Sequence, residues 1–409
     1  MSRRMSFDDL HAFYLSHLTN DVMPFWLTHA LDRECGGLNT CIGDDGTVIS
    51  YDKYLWSQWR AVWVFSSLYD RLEQRPEWRE AAEIIYRFAA SHGRDADGRT
   101  VFCLARNGRI KEAYTSIYAD GFALYGLTAY ARMTGDPEAE RMAREIYPLV
   151  RADLARPGSY PTAPLPIPTG CRAHGPSMIF SLVFYELGVL LDDPSIRQAG
   201  LALTRDVFEN FCRPEDGLVH EFVTLDNRLP DPPAGRVIVP GHVIEDMWFQ
   251  IHILESVGDA GAVQQCCEII RRHLELGWDD QYGGIFHAVN ADGSVEDVAW
   301  RFADAKLWWP ATEALYALLL AYEKTGQSWC LDWYWRVHDY AFSHYPVPEH
   351  GEWRQRLDRR GNPMGETVAL PVKDPFHLPR AVLLCIEVLD RLRGGAPGLG
   401  APGTRNEVS

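Results

Sequence analysis

A turn centred on glycine recurs along this chain at intervals of roughly 60–67 residues, and no other feature limits the possible folds as strongly. The turns that set the interval are Gly37, Gly98, Gly217, Gly284 and Gly351, and Gly158 lies midway through the one double-length gap. Short strand-like stretches follow five of these glycines and predict β-hairpin loops. We therefore expect the chain to consist of six similar units.

The segments between the turns carry apolar residues at the 3.6-residue spacing of amphipathic helices. The predicted helices span residues 52–72, 80–90, 117–133, 138–147, 178–190, 194–211, 243–257, 261–276, 310–324, 330–344 and 379–392. Repeated helical hairpins bury their apolar faces against their neighbours, and neither end of the sequence shows a polar capping repeat, which favours a closed ring over an open solenoid. We expect an all-α protein in which residues 1–393 form a single (α/α)6 barrel of six helical hairpins, with short β-hairpin loops at one end.

The net charge and the lengths of the apolar runs limit the classes of partner that the chain could bind. With a formal net charge of −16 over 409 residues, the chain is a poor candidate for binding nucleic acid or anionic membranes, which need clustered Lys and Arg. No apolar run approaches the ~18 residues of a membrane-spanning helix. The glycine- and proline-rich residues 394–409 are expected to form a disordered tail.

The start of the sequence lacks the apolar segment of a secretory signal. The nine cysteines include no C-x-x-C pair. We therefore expect reduced thiols in a cytoplasmic protein and no structural zinc site.

Arg60 is a candidate functional residue because it lies in the middle of a predicted helix, within Trp56-Ser-Gln-Trp-Arg60-Ala-Val-Trp63. A charge on an apolar helix face must be paired or must line a cavity. In a cavity it would hold ligand hydroxyls or stabilise a developing oxyanion. The alternative is a structural pair with a buried carboxylate, and this stretch alone favours neither.

The segment Pro240-Gly-His242-Val-Ile-Glu245 begins a predicted helix. The positive end of a helix disfavours an imidazolium, so we expect His242 to stay neutral and able to accept a proton. Glu245 lies on the same helical face and could orient that base. A capping histidine beside a surface glutamate is the alternative, and a metal site would need a third ligand that is not visible nearby.

Two further segments carry ionisable and aromatic residues at helix starts. The first is Lys306-Leu-Trp308-Trp309-Pro310 with Glu313, whose tryptophans could stack on a ligand or simply pack a hairpin corner. The second is Asp374-Pro-Phe-His377-Leu-Pro-Arg380. His242 and His377 both sit where a helix begins, and in a closed barrel such helix ends can converge on one mouth.

In this order along the chain, the segments resemble the N-acylglucosamine 2-epimerase family, also called the renin-binding protein family. The likeness runs from about Phe25 to Leu392. The matching elements are residues 32–37 (Asp-Arg-Glu-Cys-Gly-Gly), 53–63, 118–122 (Tyr-Ala-Asp-Gly-Phe), 240–245, 306–310 with Glu313, 351–353 and 376–380. The family forms an (α/α)6 barrel, which is the fold that the repeat also predicts.

The resemblance implies a carbohydrate 2-epimerase acting on a free sugar, with N-acetylglucosamine and N-acetylmannosamine as the first choice. One histidine takes the C2 proton, an enediolate forms, and the other histidine returns a proton to the opposite face. The implied residues are His242 and His377 as the acid–base pair, Arg60 and Glu245 in support, and Tyr118, Trp308, Arg236, Trp63, Lys306 and Glu313 around the substrate. The resemblance implies no metal and no redox cofactor.

Two further expectations come from the resemblance. One is ATP as an allosteric effector, although the sequence has no Walker-type loop. The other is a homodimer.

Several alternatives stay open. Within the family these are an epimerase of unmodified sugars such as mannose or cellobiose, and a mannose–fructose isomerase. The isomerases carry an Asn and a His in the segment matching residues 170–180, where His174 falls out of register, and this favours an epimerase. Outside this activity, Glu245 and Glu313 could serve an (α/α)6 glycosidase, although both histidines would then lack a role. The last alternative is a non-catalytic interaction protein of the renin-binding type.

Overall fold

The computed structural model describes residues 4–394. The helices in chain order are α1 (Phe7–Ser16), α2 (Met23–Phe25), α3 (Leu55–Arg71), α4 (Pro76–His92), α5 (Ile117–Thr134), α6 (Pro137–Leu154), α7 (His174–Leu190), α8 (Pro194–Asp206), α9 (Pro240–Ser256), α10 (Ala260–Gly277), α11 (Trp308–Thr325), α12 (Ser328–His344) and α13 (His377–Leu392). All eleven predicted helices are present, with ends displaced by a few residues. The tail expected at 394–409 lies outside the described residues, apart from Gly394.

The odd-numbered helices from α3 to α13 form an inner ring. Each contacts the next odd-numbered helix, and α13 contacts α3. The even-numbered helices from α4 to α12 pack outside, each against the inner helix that precedes it in the chain, and α1 packs against α13. The ring is therefore closed, and the predicted (α/α)6 barrel is confirmed.

The sequence analysis missed the sixth outer helical segment, between Phe7 and Ala30. Here α1 and α2 alternate with two wider π-helical stretches, His17–Val22 and Trp26–Ala30. A π-helical turn takes more residues than an α-helical one, so the apolar side chains do not recur at 3.6 residues. Pro24, which begins a turn here, also reads as a breaker in the sequence.

The six repeat glycines adopt the backbone conformation that the turn prediction requires. Their φ angles all lie between +70° and +86°, in the left-handed region where a side chain would be strained. Gly158 opens a proline-rich loop.

Within the described part of the chain, residues 4–394, thirteen short strands connect the units. In chain order they are β1 (Cys41–Ile42), β2 (Val48–Ser50), β3 (Lys53–Tyr54), β4 (Cys103–Leu104), β5 (Ile110–Glu112), β6 (Cys171–Ala173), β7 (Cys212–Arg213), β8 (Leu218–Val219), β9 (Phe222–Thr224), β10 (Val237–Ile238), β11 (Val289–Asn290), β12 (Lys306–Leu307) and β13 (Arg356–Leu357). All pairings are antiparallel, and β1–β2, β4–β5 and β7–β8 are local hairpins.

The prediction of local hairpins after Gly284 and Gly351 is wrong. The strands that follow these glycines pair instead with strands before them, as β10–β11 and β12–β13, and β3–β4 and β6–β9 likewise join separate segments. Because β3, β6, β10 and β12 each end where an inner helix begins or just before it, these pairs hold the inner helix starts together at one mouth of the barrel.

The two Gly-Gly turns are held by the same arrangement of side chains. Lys53 Nζ donates to Asp32 Oδ2 at 2.9 Å and to the Gly36 carbonyl, and Arg106 also binds Asp32. In the second copy Lys306 Nζ lies 3.0 Å from Asp279 Oδ2 and 2.8 Å from the Gly283 carbonyl oxygen, and Arg359 binds Asp279. Both lysines are fully buried. Lys306 is thus part of a repeated turn clamp.

All nine cysteines are free thiols, which agrees with the absence of disulfides expected from the sequence. Across residues 4–394, no helix has the length and apolar character needed to cross a membrane.

Candidate active site

A cavity of about 740 Å³ opens at the mouth where the inner helices begin. First turns of these helices supply Tyr118, His242, Trp308 and His377, whereas Arg60 and Glu245 lie one turn deeper. Three loops cover the cavity with mainly apolar side chains, which include Ile167, Trp300 and Val368. The structure thus places a polar group of side chains beneath an apolar roof.

His242 is fixed by a carboxylate that the sequence analysis did not identify. Its Nδ1–H donates to Glu221 Oε2 at 2.9 Å, which leaves Nε2 as the ring nitrogen free to meet a substrate. The Trp309 indole stacks on the imidazole with 5.3 Å between ring centroids. Trp309 also lies 5.6 Å from the His377 ring, so it packs against both histidines.

The expected influence of the helix start on His242 is outweighed, and the pKa shifts in the opposite direction. Burial alone lowers the pKa of His242, but the negative charges of Glu221, Glu245 and Asp246 outweigh burial and raise it above its ordinary value. The helix N-terminus is a weaker influence than a carboxylate in direct contact.

His377 is held in a similar way by Glu313. Its Nδ1–H donates to Glu313 Oε1 at 2.7 Å, and Trp248 Nε1 donates to the other carboxylate oxygen at 2.9 Å. Burial raises the pKa of Glu313, but Arg380 and His377 more than reverse this and lower it to about 2. Glu313 is therefore a carboxylate at any ordinary pH.

Arg380 joins the second histidine to Glu245. Its Nη2 donates to Glu313 Oε1 at 2.7 Å and to Glu245 Oε1. Glu245 therefore supports the His377 side of the cavity, and the prediction that it orients His242 is wrong, because Glu221 takes that position. Oxygen and nitrogen atoms of Glu245, Glu313 and His377 come within 4.8 Å of one another, as metal ligands could. The Arg380 guanidinium already provides the positive charge between the two carboxylates.

The glycosidase alternative fails on the same geometry. A glycosidase needs one carboxyl group that carries a proton for the leaving oxygen. Glu313 has a pKa of about 2, and Glu245 shares its guanidinium partner. Glu313 is therefore not available as the proton donor at neutral pH.

Arg60 satisfies both readings of its segment. Its Nη1 donates to Asp374 Oδ2, and its guanidinium lies 4.0 Å from the centroid of the Phe122 ring. It also lines the cavity, and its Nε has no hydrogen-bond partner within the described chain. Asp374 thus orients a cation that still faces the cavity.

The structure brings Arg60, Tyr118, His242, Glu245, Trp308 and His377 together around one cavity. Glu313 lies behind His377, and Trp63 is packed against Tyr125 and Phe376 outside the cavity lining. Arg236 is half-exposed and pairs with Asp292. Lys306 is buried in its turn clamp. Contrary to expectation, the cavity lining therefore excludes Trp63, Arg236 and Lys306.

Glu221, Asp374 and Arg380 line the cavity, and the sequence analysis did not select them as site residues. Arg380 could have been found, because it stands three residues after His377 and so shares its helical face. Glu221 lies between β8 and β9, where no periodic pattern shows which way a side chain points.

Comparisons with known proteins identify the family of this chain. The family model of N-acylglucosamine 2-epimerase (GlcNAc 2-epimerase) matches residues 36–381. The chain is 31% identical over 407 residues to the N-acylglucosamine 2-epimerase of Bos taurus, an alignment that covers 94% of this chain and 92% of the relative.

The chain belongs to the N-acylglucosamine 2-epimerase family. It is a carbohydrate 2-epimerase, an enzyme that interconverts C2 epimers of a sugar, and the family predicted from the sequence motifs is confirmed.

Solved structures of other sugar epimerases and isomerases share the barrel. Cellobiose 2-epimerase from Spirochaeta thermophila superposes with a TM-score of 0.81 at 22% identity, covering 95% of this chain and 98% of the other. A D-mannose isomerase superposes with a TM-score of 0.79 at 18% identity, covering 94% and 99%. At these identities the likeness concerns the fold, and the substrate must be argued from the cavity.

Proposed function

We propose that this epimerase interconverts N-acetylglucosamine and N-acetylmannosamine, with His242 and His377 as the acid–base pair. The observation that carries the proposal is the matched placement of the two histidines. Each lines the same cavity, each has its Nδ1 bound to a carboxylate, and each leaves Nε2 for the substrate.

The chemistry needs two groups of this kind. The proton at C2 of the open-chain sugar is acidified by the adjacent carbonyl, and a neutral imidazole removes it. An imidazolium on the other face then donates a proton to C2, which inverts its configuration. Positioned acid–base groups contribute typically 10²–10⁴-fold to rate, and a rigid carboxylate partner keeps each ring in one orientation.

Negative charge develops on the enediolate oxygens between these two steps. Arg60 is suited to stabilise it, because Asp374 and the Phe122 face fix the guanidinium of a side chain that lines the cavity. The Tyr118 hydroxyl and the Trp308 ring complete the proposed contacts with the sugar. The proposed reaction uses no metal or redox cofactor.

The N-acetyl substrate is supported by the relatives that match over almost the whole chain. A disaccharide such as cellobiose is a second candidate, because a cavity of about 740 Å³ lies within the range that holds drug-sized ligands.

The test is a panel of free sugars incubated with the purified enzyme and followed by NMR. The panel comprises N-acetylglucosamine, N-acetylmannosamine, glucose, mannose, fructose and cellobiose, each with and without ATP. We expect interconversion of the two N-acetylated epimers to have the highest kcat/KM. A higher kcat/KM for cellobiose, or ketose formation from mannose, would reassign the substrate. The arms with ATP decide whether the proposed effector acts, and the same sample in sedimentation velocity decides whether the enzyme is a homodimer.

A further inference from the structure

We infer that Glu221 is a positioning residue that holds His242 as the charged, proton-donating member of the histidine pair before substrate binds. This inference rests on the proposed function, because it distributes roles within the proposed acid–base pair.

The backbone of Glu221 is held by two hydrogen bonds, and its carboxylate pairs with His242. Its backbone N–H donates to the Val237 carbonyl at 3.0 Å, and its own carbonyl accepts from the His174 N–H at 2.9 Å. The carboxylate is 5% exposed and lies 2.9 Å from His242 Nδ1. Within residues 4–394, no lysine or arginine nitrogen lies within 4.0 Å of this carboxylate. A buried carboxylate without another cation favours the imidazolium form of its partner.

The carboxylate beside His377 is differently placed. Glu313 also binds Arg380 and Trp248, and Arg380 Nη2 lies 3.4 Å from His377 Nδ1. Arg380 is shared by Glu313 and Glu245, and Glu245 Oε1 also lies 3.9 Å from His377 Nδ1. A positive charge on His377 therefore faces a neighbouring guanidinium as well as two carboxylates, and the guanidinium lowers what that charge gains. The two histidines thus have the same kind of partner, but within residues 4–394 the partner of His377 also binds a guanidinium and the partner of His242 does not.

The other groups around His242 support the same direction. Glu245 and Asp246 on its own helix are negative, and together with Glu221 they raise the pKa of His242 despite its burial. On the facing loop, burial lowers the pKa of His287 to about 4, so that ring is neutral at pH 7. The Trp300 and Trp309 rings pack against the His242 imidazole and add no charge.

For the epimer whose C2 proton faces His377, the proton steps start from the resting enzyme, and the other epimer uses the same steps in reverse, from the form with His377 charged and His242 neutral. His377 Nε2 takes the C2 proton, and the electron pair of the C–H bond moves into the enediolate. His242 Nε2–H gives its proton to C2, and the pair returns to form the new C–H bond. His377 ends charged and His242 neutral, and exchange with water restores the resting distribution.

The direct test is an NMR titration of the ¹⁵N-histidine-labelled enzyme without substrate, with the His242 signals assigned by the His242→Asn variant. We expect a midpoint above the ordinary value of about 6.5. The Glu221→Gln variant should lower that midpoint by at least ~1 pH unit, the usual effect of an adjacent opposite charge, and Glu221→Asp should restore part of the shift. A wild-type midpoint at or below 6.5, or an unchanged midpoint in Glu221→Gln, would overturn the inference.

Asp216→Asn is the matched control, because Asp216 pairs with His220 at 3.0 Å and lies outside the cavity lining. It should leave the His242 midpoint unchanged.

In kinetics, the limb of the kcat/KM–pH profile that belongs to His242 should move to lower pH in Glu221→Gln. A uniform loss of kcat with an unmoved limb would mark Glu221 as merely structural. If no sugar exchanges its C2 proton with solvent, the proposed function fails, while the titration still decides the role of Glu221.

Discussion

His242 and His377 are alike in sequence context but differ in what surrounds them. Each stands in the first turn of an inner helix and offers Nε2 to the cavity. The sequence motifs therefore suffice to select the two residues. They do not reveal that Glu221 serves one and the Glu313–Arg380 pair serves the other, because those partners lie 21 and 64 residues away along the chain.

Removing either imidazole should remove a proton-transfer group without emptying its pocket. We expect His242→Asn and His377→Asn each to lower kcat by at least ~10²-fold, the usual contribution of an acid–base group. His350→Asn is the control, because His350 is an exposed residue outside the cavity. Near-normal kcat in either cavity variant would remove that histidine from the proposed role.

Gly241 is required where it stands because Trp309 packs directly against its Cα. A Cβ there would come within 2.6 Å of the indole ring carbons. Gly241→Ala should therefore displace Trp309 from His242 and lower kcat/KM, which steady-state kinetics would show. Gly261→Ala is the matched helical control, since the nearest atom to its Cβ is 3.6 Å away, and activity should be unchanged. Equal activity in both variants would show that the Trp309 contact does not matter.

At the scale of elements, the repeat could be predicted and its strand pairing could not. Glycines such as Gly37 and Gly284 mark their turns because glycine adopts a φ near +79° without strain, whereas a residue with a side chain would be strained there. Strands of two or three residues, such as β10 and β11, carry too few side chains to specify a partner, so local hairpins were expected where strands from separate segments pair.

The N-terminal helical segment could not be predicted from the sequence either, and the reason is its irregular helical period. Its buried residues Leu18, Val22 and Trp26 follow a spacing of four, which fits a chain that includes π-helical turns better than a 3.6-residue period. Sequence periodicity finds regular helices and passes over irregular ones.

Lys306 was expected at the substrate, but its place in the repeated turn clamp predicts that it contributes to stability instead. Lys306→Met should leave Asp279 buried with only Arg359 opposite it, and breaking a buried pair costs on the order of 3–5 kcal/mol. We expect a lower Tm by calorimetry, with KM unchanged for enzyme that stays folded. Lys53→Met removes the equivalent lysine of the first clamp and should lower Tm similarly. A raised KM with unchanged Tm in Lys306→Met would return this lysine to the substrate.

On the scale of the whole molecule, buried charges in the barrel link its stability to pH. The folded pKa of Glu313 is about 2, below its ordinary 4.5. Its ionised form therefore stabilises the fold above pH 4.5, and this contribution is lost as pH falls from 4.5 towards 2. The Tm difference between wild type and Glu313→Gln should be largest near pH 7 and shrink by pH 3.5. A constant difference across that range would contradict the depressed pKa.

The barrel as a whole gives the proposed reaction its geometry, because closure brings helix starts from opposite ends of the sequence to one cavity. That closure, the cavity and most of the polar residues in it follow from the repeat and the motifs. The acyl preference does not, since the roof is built from irregular loops whose course no periodic pattern encodes.

The most direct test of the central claim is the reaction in D₂O, followed by ¹H and ¹³C NMR of the product. If two histidines exchange protons at C2 with solvent, the product epimer carries deuterium at C2 from the first turnovers. Epimerised product that keeps its original C2 hydrogen would contradict the account, because it would require a route that does not pass that hydrogen to the protein and water.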